Sequence, residues 1–245
     1  IPTYTELILG LPKESRKSFV DGICQLLELG MHDDIRVFEL ALLPNAPLSQ
    51  PHMRERYGLD TRFKSIRLAA PGFEKELVEL VFGTASMPYE DWAYCLLFSE
   101  MIQALHNGAY TRFLAMYLHQ KGLLSYRQFY AGLLDHLLAD TKGIGKAFLR
   151  LKKLIDDYHD DPEMPQVNRI LTQPDMLRFL RKYHPTRRGW PLWTWLWLMI
   201  CDNRESFYAA VERFLVYRKA LIDEVLADLI HYQKAIMLAP QYGPV

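Results

Sequence analysis

The stretch TELILGLPKESRKSFVDGICQLLELGMHDDIRVFELALLP, residues 5–44, decides the fold of the chain. It contains two apolar runs, Leu7–Leu9 and Ile35–Leu43. The first run ends at Gly10 and the second at Pro44. Short continuous apolar runs that stop at glycine or proline are typical of strands covered on both faces of a sheet. We therefore predict one strand from each run.

A helix is predicted between these strands, over residues 16–29. Ser15 can cap its first turn, because a serine hydroxyl accepts a hydrogen bond from a free amide there, and Gly30 is suited to end it. Apolar residues in and just after this segment recur at the spacing of one helical face: Phe19, Ile23, Leu26, Leu27 and Met31. Strand, helix and strand in this order form a βαβ unit, so the strands should be parallel, with a right-handed crossover.

Two further strand candidates follow, Arg62–Leu68 and Leu77–Phe82, and Pro71 and Gly72 between them suit an antiparallel hairpin. A two-stranded parallel sheet is not stable alone, and these strands are too few to close a barrel. We therefore expect a partial α/β barrel, a βαβ unit with short antiparallel strands, whose N-terminal part lies outside this sequence.

From Ser86 onward the sequence predicts helices almost to the end, so we divide the chain into a barrel portion, residues 1–83, and a mostly α-helical C-terminal domain, residues 84–245. Ser86 is the expected N-cap of the first helix, which should end near His106. The other predicted helices cover residues 111–120, 125–138, 144–158, 175–183, 191–201 and 203–236, the last straight or kinked.

Composition excludes several classes of protein. Half of the residues are apolar, and 29 basic residues balance 29 acidic ones, so no general attraction to nucleic acid or anionic lipid is expected. The most apolar stretch, Trp190–Ile200, is about half the length of a membrane-spanning helix. No signal peptide is recognised at the start, and Cys24, Cys95 and Cys201 are too far apart for a disulfide framework or a metal site. We expect a cytoplasmic protein with buried, reduced thiols.

Ligands in parallel sheets bind outside the carboxyl ends of the strands. Two segments occupy that position here, GLPKES at Gly10–Ser15 and LLPNAPL at Leu42–Leu48. Gly10 allows the backbone to approach a ligand closely, and Pro12 stiffens the loop. Asn45 is either a ligand contact or a turn former. The alternative for both segments is an ordinary connecting turn.

Three segments in order resemble the radical S-adenosylmethionine (SAM) enzymes. TELILGLPKESRKSF, residues 5–19, resembles their late barrel strand and its GxPGET loop. HDDIRVFELALLPNAPLSQPHMRERYGLDTRF, residues 32–63, is similar to the next strand and turn in members with an N-terminal cobalamin-binding domain. ASMPYEDWAYCLLFSEMIQALHNG, residues 85–108, resembles the first helix of their C-terminal extension. Recognisable motifs thus cover the first part of the chain.

The resemblance implies a parent enzyme that holds a [4Fe-4S] cluster, cleaves SAM reductively, and uses the radical or methylcobalamin for methylation or a rearrangement. It implies that the loop after the first strand lines the SAM site. Lys13 stands where the family pattern has glycine, which is a departure within this loop. The cofactor-binding residues carried over are Gly10, Leu11, Pro12 and Glu14, with Pro44 and Asn45 behind them.

The family's cluster motif, CxxxCxxC, is absent from this sequence, and so is the cobalamin-binding pattern DxHxxG. We therefore expect none of the cofactors to bind this chain alone. Its partners would be the missing N-terminal barrel and cobalamin-binding domains, or an equivalent chain. The alternative function is a non-catalytic helical module that docks on a partner protein.

One further pattern concerns the tryptophans of the apolar helix predicted at residues 191–201. Trp190, Trp193 and Trp197 should share a face, with Trp195 off it. Three large rings on one stripe favour core packing, and a docking face is the alternative.

Overall fold

The computed structural model describes residues 4–65, 77–165, 171–185, 190–219 and 223–237. All strands of the described residues lie before or at Gly83, together with two α-helices, and helices follow from there on. The chain therefore has an α/β start and a helical remainder, as the sequence predicted.

The βαβ unit consists of β1 (Tyr4–Leu9), α1 (Arg16–Glu28) and β2 (Asp34–Glu39). β1 and β2 are parallel, with Leu7 opposite Val37, which confirms the prediction. Ser15 caps α1 as expected, because its hydroxyl accepts a hydrogen bond from the backbone amide at the third helical position.

The second apolar run does not form one strand. It breaks after β2 and continues as β3 (Ala41–Leu42). β4 (Asp60–Ser65) and β5 (Leu77–Gly83) are antiparallel, as predicted, and β5 lies between β3 and β4. The predicted turn at Pro71 and Gly72 lies outside the described residues.

Leu40 links the two sheets. Its amide donates to the carbonyl of Leu9 over 2.9 Å, and its carbonyl accepts from the amide of Val81 over 2.9 Å. The short helix α2 (Pro51–Tyr57), which the sequence did not predict, connects β3 to β4. Leu40 thus connects the β1–β2 pair to the three-stranded sheet in the order β3-β5-β4. Within the described residues these strands do not form a closed barrel.

The helical part contains α3 (Tyr89–Ile102), which continues as a π-helical turn, Gln103–Asn107. α3 begins later than predicted: Pro88 is its N-cap, and Ser86 lies before it. The next helices are α4 (Arg112–Gln120), α5 (Tyr126–Ala139), α6 (Gly145–Asp160), α7 (Pro174–Leu180) and α8 (Leu192–Asp202).

The predicted long final helix is wrong, because two helices stand in its place. α9 (Arg204–Tyr217) ends before Lys219, which has a φ of 55°, a left-handed conformation that helices do not continue through. α10 (Glu224–Ile236) begins with its own cap, since the Asp223 carboxylate accepts from the Leu226 amide over 2.8 Å.

The tryptophan prediction also needs correction. Trp190 precedes α8 and is buried, and Trp195, predicted off the stripe, is 5% exposed. Trp193 and Trp197 are only half-buried. The predicted core packing of Trp190, Trp193 and Trp197 is nevertheless confirmed, because Trp190 is in the core and the other two pack against it. Only Trp195 differs, since it is also in the core.

One hydrophobic core runs through the α/β start and the helical part. It contains residues from β1, α1 and β5 together with residues from most of the helices. The three cysteines are buried and free, as predicted. None of the helices within the described ranges is long and apolar enough to cross a lipid bilayer.

Candidate functional site

The Gly10 loop, residues 10–14, leaves the carboxyl end of β1. Gly10 has a φ of 99°, which favours glycine. The Glu14 amide donates to the Leu11 carbonyl over 3.2 Å. Pro12 at the second position and a positive φ at Lys13 in the third are the features of a type II turn. The loop is therefore a defined turn.

Lys13 adopts a φ of 69°, in the left-handed region. A residue with a side chain costs about 1 kcal/mol there, whereas glycine does not. The position at which the family pattern has glycine thus keeps the backbone shape that glycine favours, although lysine occupies it. The departure noted in the sequence does not change the turn.

Gly10 packs closely against the sheet and α3. A Cβ atom placed on it would lie 3.5 Å from the Val81 carbonyl oxygen and 3.6 Å from Nε1 of Trp92. Trp92 is completely buried, and its ring centroid is 4.7 Å from that of Phe82. The first turn of α3 therefore forms the floor beneath the loop.

Two buried polar atoms beside this loop have no hydrogen-bond partner among the described residues, Oε2 of Glu14 and Nε1 of Trp92. Burial raises the pKa of the Glu14 carboxyl group. An unpaired buried donor or acceptor is unfavourable, so such atoms call for a partner from elsewhere. A close-packed glycine with an acceptor and a donor nearby suits one edge of a polar ligand such as a nucleoside.

The other sequence-predicted residues lie on a separate turn. Pro44 and Asn45 follow β3 and are exposed, in a turn closed by the Ala46 amide, which donates to the Leu43 carbonyl over 3.0 Å. The Ser49 hydroxyl also donates to the Pro44 carbonyl, over 2.8 Å. Within residues 4–65, no hydrogen bond joins this turn to the Gly10 loop. The two loops are therefore not joined by a hydrogen bond in this part of the chain.

Lys64, which the sequence did not single out, is completely buried in β4. Its ammonium group donates to the carbonyl oxygens of Tyr158 and Asp161 at the end of α6, over 2.5 Å in the second case. The carbonyl end of a helix attracts a cation. Burial lowers the pKa of Lys64, while these contacts hold β4 to the helical part.

Two buried carboxyl groups lie behind the carboxyl end of β2. Glu39 is the last residue of that strand, and Glu100 lies in α3 and accepts a hydrogen bond from the backbone amide of Trp193. Burial, with a smaller contribution from Glu39, raises the pKa of Glu100 to about 8. Glu100 is therefore largely neutral at pH 7.

At the amino end of β2, the buried imidazole of His106 is hydrogen-bonded to the half-buried imidazole of His32. Nδ1 of His106 lies 2.7 Å from the Tyr130 hydroxyl, and its Nε2 lies 3.1 Å from Nδ1 of His32. Burial lowers the pKa of His106 to about 3. This pair could not be predicted from the sequence, because the two residues are far apart along the chain.

The described residues contain no group of three or more His, Cys, Asp and Glu side chains that could hold a metal ion. The three cysteines lie apart, in α1, α3 and α8. The residues therefore fit part of a nucleoside-type ligand at the Gly10 loop, but they supply no ligand set for an iron–sulfur cluster.

No protein-family model matches the chain. Two curated relatives do, each over the whole length of the chain. A "2-(S-pantetheinyl)-carbapenam-3-carboxylate methyltransferase" of Streptantibioticus cattleyicolor is 43% identical over 251 aligned residues. The "Cobalamin-dependent radical SAM methyltransferase TokK" of Streptomyces tokunonensis is 42% identical over 251.

This chain is similar over its whole length to the C-terminal part of these two methyltransferases, one of which is named a cobalamin-dependent radical SAM enzyme. It spans only 37% of the length of each relative, and all of the chain is matched. The similarity thus extends well past the three segments recognised in the sequence, and it supports the enzyme hypothesis over the interaction module.

Proposed function

We propose that this chain is the segment of a cobalamin-dependent radical SAM methyltransferase that forms part of the SAM pocket and a helical cap on the substrate side. The Gly10 loop carries the proposal, because beside a tight turn at the end of a parallel strand a buried acceptor and a buried donor have no partner within the described ranges. Both relatives are named methyltransferases, which favours methyl transfer over a rearrangement.

The sheet supports the proposal that residues 1–83 are part of a barrel. In the described part of the chain, β1 pairs with β2 on one side only. Tyr4 and Ile8 of β1 are 61% and 45% exposed, although strands of a parallel sheet are normally covered. A preceding barrel strand would pair with this edge, and a barrel interior would cover this face. The N-terminal barrel and cobalamin-binding domains would supply them.

In the proposed enzyme, bound SAM with an iron–sulfur cluster supplies a carbon radical, and cobalamin supplies the methyl group. The residues of this chain bind SAM and orient it. The Gly10 backbone approaches the ligand, Glu14 accepts a hydrogen bond from a ligand hydroxyl or amine, and Pro44 and Asn45 border the same side. The helical domain, residues 84–245, excludes water from the substrate side.

We also propose a substrate class. One relative is named for a carbapenam carboxylate that carries a pantetheinyl group. A carbapenam carboxylate is therefore the first substrate to test.

The first test is the coding sequence that precedes Ile1. The proposal expects a CxxxCxxC motif within roughly 200 residues upstream, because a complete barrel needs about 250 residues. The complete product should show absorbance at about 400 nm after iron–sulfur reconstitution, and the 245-residue chain alone should not. A missing motif, or a stoichiometric cluster on this chain alone, would contradict the proposal.

The second test is SAM binding by the complete protein, measured by calorimetry. Glu14→Gln should weaken binding about tenfold, because a neutral amide oxygen accepts a weaker hydrogen bond than a carboxylate does. Glu55→Gln, at an exposed position in α2, is the matched control and should bind like the wild type. Equal affinity of both variants would remove Glu14 from the pocket.

A further inference from the structure

Trp92 connects the helical part to the Gly10 loop, although the sequence pattern gave it no role. Its side chain is completely buried in α3. Its Nε1 lies 3.6 Å from the place that a Cβ atom on Gly10 would occupy. A side chain at position 10 would therefore contact the indole ring, so this ring borders the loop and limits how deeply it can sit.

The ring itself is held by its neighbours. Its centroid lies 4.7 Å from that of Phe82 and 6.2 Å from that of Tyr89, which is stacked on it. Tyr89 is in turn fixed by its hydroxyl, which donates to the Asp156 carboxylate over 3.0 Å. A ring packed on two sides does not move to suit the loop. Any adjustment on ligand binding must come from the loop.

The indole N–H of Trp92 has no acceptor within the described ranges. An unsatisfied buried donor is unfavourable. Oε2 of Glu14, at the other end of the same loop, is also buried and has no partner among the residues that the structure describes. A ligand that binds at this loop can bring a loop carbonyl, or a shared water, to the indole N–H and so satisfy it.

We infer that Trp92 is a positioning residue: its ring sets the depth of the Gly10 loop, and its N–H gains an acceptor when SAM binds at the loop. This inference rests on the proposed function, because SAM is the ligand. Trp92 does not touch SAM itself and acts through Gly10.

The experiment uses the complete protein and the substitution Trp92→Phe, which keeps an aromatic ring and removes the N–H. The affinity for SAM should fall about tenfold, and the KM for SAM should rise with it, because the lost interaction forms on binding. Turnover at saturating SAM should not change. Trp197→Phe is the matched control, since its Nε1 also lacks a partner in the described part of the chain while its ring stacks on Tyr110.

A second measurement needs no variant and decides the matter if Trp92→Phe does not fold. In hydrogen–deuterium exchange of the wild type, SAM should protect the Gly10 loop and residues 89–95 of α3 together. Protection of the loop without α3, or unchanged SAM affinity in a folded Trp92→Phe protein, would overturn the inference. Failure of the wild type to bind SAM would instead overturn the proposed function, and the inference with it.

Discussion

At the amino end of the β1–β2 pair, both ring nitrogens of His106 are hydrogen-bonded, to His32 and Tyr130. At the carboxyl end, Trp92 Nε1 and Glu14 Oε2 are equally hidden from water but have no partner among the described residues. Buried polar groups thus lie at both ends of this pair of strands. Oδ1 of Asn107, at the amino end, also has no partner in the described part of the chain, so the contrast is between the hydrogen-bonded His106 and the two unpaired atoms of the carboxyl end.

In barrels, residues at the amino end of the strands contribute to stability, and residues at the carboxyl end bind ligands. The proposed barrel predicts the same difference between His106 and the Gly10 loop. Hydrogen bonds that are complete within the protein stabilise it without help. Unpaired groups lower stability until a ligand supplies the missing partners. The predictions below test whether the two ends behave in these two ways.

The largest effect is expected at Lys64. Lys64→Met should lower the free energy of unfolding by about 3–5 kcal/mol, because helix carbonyls and the nearby Glu39 carboxylate lose a buried cation. Urea unfolding of the 245-residue chain measures this loss. Lys152→Met, which removes an exposed ion pair with Asp156, should cost under about 1 kcal/mol. Similar losses in both variants would show that Lys64 is not a buried anchor.

Glu100, near the carboxyl end of β2, should make the free energy of unfolding depend on pH. Its pKa is about 8 in the folded chain, against 4.5 ordinarily. The folded state therefore holds a proton that the unfolded state releases, so this contribution is complete below pH 4.5 and is lost as the pH rises through 8.

The test of Glu100 is Glu100→Gln, which should remove this loss. As the pH rises from 5 to 8, the free energy of unfolding of the variant should increase relative to that of the wild type by up to about 3 kcal/mol, since one pH unit contributes about 1.4 kcal/mol. Glu212→Gln, at an exposed position in α9, should follow the wild type. Parallel pH profiles for wild type and Glu100→Gln would show that the carboxyl group is ionised.

His106 should change the free energy of unfolding with pH in the opposite direction, lowering it as the pH falls. Its pKa is about 3 when folded, against 6.5 ordinarily, so the unfolded chain binds the proton first. This contribution is present above pH 6.5 and is lost as the pH falls towards 3. Between pH 6.5 and pH 5 the wild type should lose roughly 2 kcal/mol through this group.

The slope of unfolding free energy against pH measures this effect. His106→Gln should flatten the slope over that range, whatever its absolute stability. His52→Gln, at an exposed position in α2, should leave the slope unchanged. An equal slope in the His106 variant would mean that the imidazole pair is protonated in the folded chain.

The sequence predicted the βαβ unit well, because its signals are local. Apolar runs mark β1 and β2, and Ser15 caps α1 as its residue type suggests. The break at Leu40 was missed because it depends on hydrogen bonds to Leu9 and Val81, which belong to other strands.

The site was predictable only in part, for the same reason. The Gly10 loop follows a recognisable strand and carries a recognisable motif. Trp92 and Lys64 gain their roles from neighbours that are distant in the chain, Gly10 for the first and the end of α6 for the second. Neither apolar periodicity nor residue type identifies such a partner. Lys64 in particular sits in a strand where a lysine ordinarily indicates an exposed position.

The smallest effects on the free energy of unfolding are expected from substitutions in the backbone of the Gly10 loop. These substitutions should affect SAM affinity and stability differently. Lys13→Gly should raise the free energy of unfolding by roughly 0.5–1 kcal/mol, because glycine relieves the left-handed strain but adds freedom to the unfolded chain. Gly10→Ala should lower it by about 1 kcal/mol, since its φ of 99° suits only glycine. In the complete protein, Lys13→Gly should retain SAM affinity while Gly10→Ala loses it. If Lys13→Gly destabilised the chain, the lysine side chain itself would be holding the turn, and the carboxyl end would contain a contact that its backbone shape does not explain.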